Sequence, residues 1–209
     1  MRIIIFGASG KTGHELVKQA LAQGHQVTAF VRNPSNLKIA NENLQVFQGD
    51  ATNYQSVESA VKGHDAVFSA LGAASPFKYD QSVVEAVSNI VKAMEANGIM
   101  RLIYMSAINV AESRRNAGLL IRILGTTLLR TETAGHEARE KIIRQSPLEW
   151  TTVRSAKLSD GKFTGKYRSG EDIRAKGIAA SISRADVADF LLRQLTDLRY
   201  LRKAPMVMY

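Results

Sequence analysis

The residues whose spacing most clearly predicts chemistry are three glycines near the start of the chain. Gly7, Gly10 and Gly13 are spaced G-x-x-G-x-x-G and follow an apolar run at residues 3–6. A glycine turn between a strand and a helix lets the backbone approach a pyrophosphate, and the helix start offers unpaired N–H groups and the positive end of its dipole. The spacing therefore predicts a dinucleotide-binding loop. The alternative is a glycine turn that serves packing alone.

The second predicted strand ends with a base where an acid is common. In dinucleotide sites of this kind an Asp or Glu near that point holds the ribose 2′-hydroxyl, whereas Arg32 takes the place here. A guanidinium can bind a 2′-phosphate through two parallel charge-assisted hydrogen bonds. The sequence therefore predicts NADPH rather than NADH as the cofactor, with Ser35, Asn36 and Lys38 as candidates for a second contact. A solvated surface arginine is the alternative.

The elements that must position these residues alternate regularly along the chain. Apolar runs predict strands at residues 3–6, 27–31, 44–48, 66–70, 101–105, 148–153 and 205–209. Apolar residues at helical spacing predict helices before Gly24, at 54–62, 80–97 and 133–145, and after Ser183. Such alternation predicts an α/β fold with a Rossmann-like doubly wound parallel sheet in three layers, α/β/α.

In this fold the carboxyl ends of the strands face the ligand crevice. Asp50 and Ala51 follow the third strand and are expected beside the adenine, although Asp50 could serve only as a cap. Leu71 and Gly72 follow the fourth strand in a loop of small residues, where the cofactor could pass closely; a flexible loop is the alternative. The predicted cofactor contacts are Gly7, Ser9, Gly10, Lys11, Thr12, Gly13, Arg32, Asp50, Ala51, Leu71 and Gly72.

The length of 209 residues predicts one domain over residues 1–209. The alternation of strands and helices stops at residues 108–130, where leucines and isoleucines are mixed with arginines. We interpret this segment as a lid-like insertion over the substrate. A subunit contact, which leaves a homodimer open, and a membrane-surface helix are the alternatives.

Composition restricts the chemistry further. The chain has no cysteine, and its four histidines show no ligand spacing, so disulfides and thiol catalysis are excluded and no metal site is predicted. The net charge of +9 suggests a nucleic-acid partner, but the charges are spread and no nucleic-acid module signature is present. No apolar run approaches a membrane span, and the sequence begins directly on an apolar strand with no cleavage signal, so no targeting segment is expected. A cytoplasmic protein without nucleic-acid or membrane partners is expected.

The assembled motifs resemble the short-chain dehydrogenase/reductase superfamily. The resemblance rests on IIIFGASGKTG, VTAFVRNPS, GDA at residues 49–51, DAVFSALG at 65–72 and LIYMSA at 102–107. Within that superfamily the chain looks most like the atypical branch of biliverdin-IXβ reductase/flavin reductase and the NmrA-like NAD(P)-binding proteins. The resemblance covers nearly the whole chain and is loosest at 108–130.

One departure from the wider superfamily bears on the chemistry. Many members use a Tyr-x-x-x-Lys pair as acid or base, and no tyrosine here has a lysine at that spacing. The resemblance to the atypical reductases implies hydride transfer from NADPH to a flavin, a linear tetrapyrrole or a similar conjugated planar acceptor. It also implies that Ser106 and Lys157 face the acceptor; a strand-end cap and a solvated lysine are the alternatives. A non-catalytic NAD(P)-sensing regulator, and a quinone reductase or isomerase, remain as other functions.

Overall fold

The computed structural model describes residues 1–72, 79–116, 123, 130–175 and 180–209. The helices within these residues are α1 Lys11–Ala22, α2 Tyr54–Val61, α3 Gln81–Ala96, α4 Arg130–Gln145 and α5 Arg184–Arg193. The strands are β1 Arg2–Phe6, β2 Gln26–Val31, β3 Leu44–Gln48, β4 Ala66–Ser69, β5 Arg101–Ala107, β6 Glu149–Ser155, β7 Lys157–Ser159, β8 Arg168–Gly170, β9 Ser181–Ser183 and β10 Met206–Met208.

The main sheet of the described chain has the order β3-β2-β1-β4-β5-β6-β10-β8. All neighbouring strands in it are parallel except β8, which runs antiparallel to β10. The chain winds outward from β1 in one direction through β2 and β3, and in the other through β4, β5 and β6. The predicted Rossmann-like, doubly wound α/β fold is confirmed, and the reversal at β1 creates a crevice at the carboxyl ends of β1 and β4.

Both faces of this sheet are covered by helices. Ile3 and Ile5 belong to the core shared with α1 and α5, whereas Ile4 and Phe6 belong to the core shared with α2, α3 and α4. Successive side chains of a strand point to opposite faces, so a strand covered on both sides needs an uninterrupted apolar run. The run at the start of the sequence is therefore explained by the three-layer packing.

Side-chain caps mark where three helices begin. Asn53 accepts a hydrogen bond from the Ser56 backbone N–H at 3.0 Å, before α2. Asp80 accepts one from the Ser82 N–H, before α3, and Ser183 accepts one from the Asp186 N–H at 3.0 Å, before α5. These caps satisfy N–H groups that have no partner within the helix. They lie at or next to the predicted helix starts.

The C-terminal third differs from the sequence prediction. The structure has short strands β7, β8 and β9, for which the sequence showed no signal, and β7 pairs with β9 in a separate parallel sheet. The predicted last strand is β10, which lies between β6 and β8 within the main sheet. Strands of three residues carry too little periodicity to be recognised, and only long-range pairing defines them.

The predicted lid at 108–130 lies largely outside the described residues. Its beginning is described: residues Ala111–Asn116 form a short 3-10 helix. Arg114 in this helix pairs with Glu137 of α4 at 2.6 Å, so the first part of the insertion rests on α4. Among the described residues, no helix combines the length and apolar character needed to cross a bilayer.

Candidate cofactor and acceptor site

The glycine loop between β1 and α1 has a backbone that side chains would disrupt. Gly7 has a φ of +78°, and a Cβ there would lie 2.7 Å from the Ala70 carbonyl oxygen. A Cβ on Gly13 would lie 2.0 Å from the Gly7 carbonyl oxygen. Gly7 therefore makes the turn, and Gly13 allows helix and strand to pack closely, as predicted. The first backbone N–H groups of α1 have no partner within the helix, so they are available to a phosphate.

A cavity of about 430 Å³ lies beside this loop, at the carboxyl ends of β1, β2, β3 and β4. Eight of the eleven predicted cofactor residues line it: Gly7, Ser9, Gly10, Arg32, Asp50, Ala51, Leu71 and Gly72. Its far wall is formed by α3 and the residue before it, through Asp80, Ser82, Val83 and Ala86, which sequence reasoning did not include. The cavity thus connects the glycine loop, where a pyrophosphate is predicted, with the place predicted for adenosine.

Three predicted cofactor residues do not line the cavity. Gly13 packs against the backbone of Gly7, and Thr12 is buried in the first turn of α1. The Lys11 ammonium group points to the exterior, where it pairs with Asp160 at 2.9 Å. These residues can offer backbone N–H groups to a phosphate, but the Lys11 side chain is engaged by Asp160, itself paired with Arg184 at the start of α5. The prediction that Lys11 and Thr12 contact the cofactor remains a prediction.

Arg32 supplies positive charge to the cavity wall, and Asp50 lies near it. Asp50 accepts hydrogen bonds at 2.9 Å from both the backbone N–H and the hydroxyl of Thr52. These two bonds and the charge of Arg32 hold the pKa of Asp50 below its usual value. Asp50 therefore caps the turn after β3, and it also lines the cavity. The capping role is seen in the structure, and the expected place of Asp50 beside the adenine stays a prediction.

The loop that carries Ala51 is fixed by a residue that sequence reasoning missed. Asn89 of α3 is buried, and its amide donates to the carbonyl oxygens of Ala51 at 3.1 Å and Thr52 at 2.9 Å. Asn89 lies within the apolar stripe of α3, where a polar residue needs a specific partner. A single polar residue in an apolar stripe was the signal available in the sequence. The carbonyl groups that Asn89 binds could not be identified without the fold.

Ser106 is buried near the end of β5, at the same edge of the sheet as the glycine loop. Its Oγ lies 3.2 Å from Nδ1 of His136 on α4. Burial and the nearby charge of Arg139 lower the pKa of His136 to about 3, so its imidazole is neutral at physiological pH. This pair was not predicted from the sequence, where the histidines were considered only as metal ligands. The two residues are thirty positions apart, and only the packing of α4 on β5 brings them together.

Two further hydrogen bonds hold the end of β5 against its neighbours. The Asn109 amide donates to the Thr133 hydroxyl at 2.7 Å, one turn before His136. The Ser155 hydroxyl of β6 donates to the Ser106 carbonyl oxygen at 3.2 Å. The backbone of Ser106 and the first turn of α4 are therefore positioned from two sides.

Lys157 is not brought together with the other predicted site residues. It begins β7, is exposed and does not line the cavity. Arg154, at the carboxyl end of β6, is instead buried and pairs with Glu140 at 2.6 Å and Glu112 at 3.0 Å. The predicted role of Lys157 toward the acceptor remains a prediction.

Comparisons with known proteins agree with this geometry. A family model described as NAD(P)H-binding matches residues 7–198. The uncharacterized protein YwnB of Bacillus subtilis is 30% identical over 203 residues, 93% of this chain and 92% of that protein.

Solved structures show the same fold at lower identity. The anaerobillin reductase ChuY from Escherichia coli O157:H7 is similar with a TM-score of 0.80 and 23% identity, covering 99% of this chain and 96% of that chain. A wide-type short-chain dehydrogenase/reductase from Veillonella parvula in complex with NADP has a TM-score of 0.77 and 21% identity, covering 99% and 93%.

Proposed function

The chain belongs to the NAD(P)H-binding family, and from this membership we propose that it is an NADPH-dependent reductase of a flavin or a similar conjugated planar acceptor. The observation that carries the proposal is that the glycine loop and Arg32 line one cavity. The loop suits a pyrophosphate because any Cβ on Gly7 or Gly13 would collide with backbone. The residues present therefore fit a nicotinamide dinucleotide.

The choice of NADPH rests on Arg32. No acid stands at the end of β2, and Arg32 lines the cavity at the end where the adenosine is expected. A 2′-phosphate would gain charge-assisted hydrogen bonds there, whereas a 2′-hydroxyl would gain much less. Asp50 lies near Arg32, but its Oδ1 is turned toward Thr52 N–H and hydroxyl groups.

The choice of a conjugated acceptor rests on the absence of a Tyr-x-x-x-Lys pair from the sequence and on the position of Ser106 near the end of β5. Without a Tyr-x-x-x-Lys pair, the chain has no conventional acid for reducing an isolated carbonyl. The bound cofactor would supply a hydride, and a conjugated acceptor can delocalise the added electrons. The protein would bind both molecules, exclude water and orient the acceptor through Ser106. That ChuY is described as an anaerobillin reductase supports a reductase on this fold.

The proposal is tested by following NADPH oxidation with FMN, riboflavin, a quinone and biliverdin as acceptors. The expected result is turnover with at least one of them and tighter binding of NADPH than NADH. Tight NADPH binding without turnover of any acceptor would overturn the reductase and favour a dinucleotide-sensing regulator. Absence of binding of either nucleotide would overturn the cofactor site itself.

A further inference from the structure

The pair Ser106 and His136 is not needed to hold a dinucleotide. Both residues are buried, with 2% and 9% of their surfaces exposed. They meet at the edge of the sheet where an acceptor would lie, and they come from different elements, β5 and α4. A serine that only capped its strand would need no imidazole from a helix thirty residues later.

His136 has a second polar neighbour on its other side. Its Nε2 lies 4.0 Å from Oε1 of Glu132, one turn earlier on α4. Glu132 is partly exposed, so its carboxyl group has access to solvent. Ser106, His136 and Glu132 thus form a line from the buried end of β5 to the surface of α4.

The charged groups around His136 favour a neutral ring. Arg139 is buried on the same helix, and its Nε donates to the Gly135 carbonyl oxygen at 2.8 Å. Its Nη1 is buried without a hydrogen-bond partner among the described residues, and its positive charge acts on both His136 and Glu132. Burial and this charge both lower the pKa of His136. Burial raises the pKa of Glu132, and the charge of Arg139 opposes that rise without cancelling it.

We propose that Glu132, His136 and Ser106 form a proton relay that protonates the acceptor when it receives hydride. This inference rests on the proposed reductase function and assigns a proton donor to it. In the tautomer that the relay requires, the Nδ1–H of His136 donates to Ser106 Oγ, and the Ser106 hydroxyl donates to the acceptor. Nε2 then faces Glu132 as an acceptor of a hydrogen bond.

The transfer balances without any further reactant. One atom of the acceptor accepts a hydride, which is a hydrogen with two electrons, from NADPH. The displaced π electrons then form a new bond between a second acceptor atom and the proton of the Ser106 hydroxyl. Ser106 takes the Nδ1 proton, His136 takes a proton at Nε2 from the Glu132 carboxylic acid, and Glu132 regains one from solvent. The ring, left protonated at Nε2, returns to the Nδ1–H tautomer by proton exchange with solvent before the next turnover. The sum is NADPH, acceptor and one solvent proton giving NADP⁺ and reduced acceptor.

Two features of the geometry shape this relay. A separation of 4.0 Å is too long for a direct hydrogen bond, so one water or a rotation of the Glu132 side chain must connect it with His136. The imidazole gains one proton as it loses another, so a full imidazolium never forms beside Arg139. A ring that is hard to protonate can therefore still conduct a proton.

The relay also restricts the class of acceptor. An acceptor that must hold its new proton firmly on oxygen or nitrogen, such as a quinone or a linear tetrapyrrole, benefits from a donor inside the site. A reduced flavin can leave as an anion, and a cationic dye such as methylene blue becomes neutral by taking hydride alone. The structure thus favours proton-requiring acceptors among those proposed above.

The kinetic test compares His136→Asn and Glu132→Gln with a quinone and with methylene blue. We expect His136→Asn to lower kcat with the quinone about 100-fold. With methylene blue the loss in kcat should be at most about tenfold. The Kd for NADPH should change less than about twofold. Glu132→Gln should lower kcat with the quinone. The pH profile of kcat should also lose the step that reports the ionisation of Glu132. His25→Asn and Glu95→Gln, which change a histidine and a glutamate away from the site, should keep wild-type kinetics.

A second measurement reads the relay without turnover. Nitrogen-15 spectra of His136, with and without NADP⁺, should show a neutral ring protonated at Nδ1 between about pH 5 and 9. Ser106→Ala should shift the Nδ1 resonance. An Nε2-protonated ring, a resonance insensitive to Ser106→Ala, or an unchanged kcat with the quinone in His136→Asn would overturn the relay. If the wild-type protein reduced no acceptor, the reductase proposal and the relay would both fail, whereas a failure of the relay alone leaves wild-type turnover intact.

Discussion

The carbonyl oxygen of Gly7 occupies the space that a Cβ on Gly13 would need, with only 2.0 Å between them. The backbone of the first turn of α1 therefore rests directly on the end of β1. This contact sets the position of the N–H groups at the start of α1 relative to the cavity. The third glycine of the fingerprint is thus a packing requirement that also shapes the predicted phosphate site.

Replacing Gly13 with alanine should destabilise the protein, because the added methyl group has no space and backbone must move. We expect a loss of about 3 kcal/mol in the free energy of unfolding, measured by urea denaturation. Gly72→Ala is the matched control, since a Cβ there meets no described atom within 4 Å. A Gly13→Ala protein as stable as Gly72→Ala would contradict the close packing.

Replacing Arg32 with alanine should discriminate between the two nicotinamide cofactors. We expect NADPH binding to weaken by roughly 1.5–3 kcal/mol, the range for hydrogen bonds to charged groups, with little change for NADH. Titration of nicotinamide fluorescence measures both Kd values. Arg199→Ala, an exposed arginine outside the cavity lining, is the control. Equal losses for the two cofactors would refute the recognition of a 2′-phosphate by Arg32.

Replacing Asn89 with alanine should weaken both cofactors alike. The change removes the two hydrogen bonds that hold the Ala51–Thr52 backbone at the cavity wall. In the proposed binding mode this wall contacts the adenosine part that NADPH and NADH share. We expect a loss of about 1–2 kcal/mol for each, read from the same titrations. Asn97→Ala, which removes a bond at the end of α3, should leave both affinities unchanged. A loss confined to NADPH would contradict this role.

The buried ion pair between Arg154 and Glu140 should be sensitive to removal of one partner. Both side chains are almost completely buried, and Arg154 Nη2 and Nε contact the Glu140 carboxylate at 2.6 and 3.1 Å. Glu140→Gln leaves the guanidinium without its buried counter-charge, and we expect a loss of about 3–5 kcal/mol in the free energy of unfolding.

The double variant Glu140→Leu with Arg154→Met removes both charges and should recover most of that stability, because neither charge remains buried without a partner. Urea denaturation of the single and double variants measures the coupling. If the double variant were as unstable as the sum of the two single changes, the ion pair would not explain the loss.

Much of the fold and of the cofactor site could be predicted because the relevant signals are local. The run at 3–6 indicated a strand covered on both faces, and the glycines that follow it indicated the loop. Arg32, Asp50 and Gly72, which follow three different strands, line one cavity. This could be predicted because the carboxyl ends of parallel strands lie at the same edge of the sheet in this fold. Periodicity and turn chemistry act over a few residues, so a sequence carries them openly.

The sequence by itself therefore determined the α/β class, the strand and helix order through β6, and most of the residues that line the cavity beside the glycine loop. The tertiary structure decided the insertion of β10 between β6 and β8, the engagement of Lys11 by Asp160, the support of Ala51 by Asn89, and the contact of Ser106 with His136. Each of these joins residues far apart in the chain. Such contacts depend on how layers pack in three dimensions, and no local pattern of residue types specifies them.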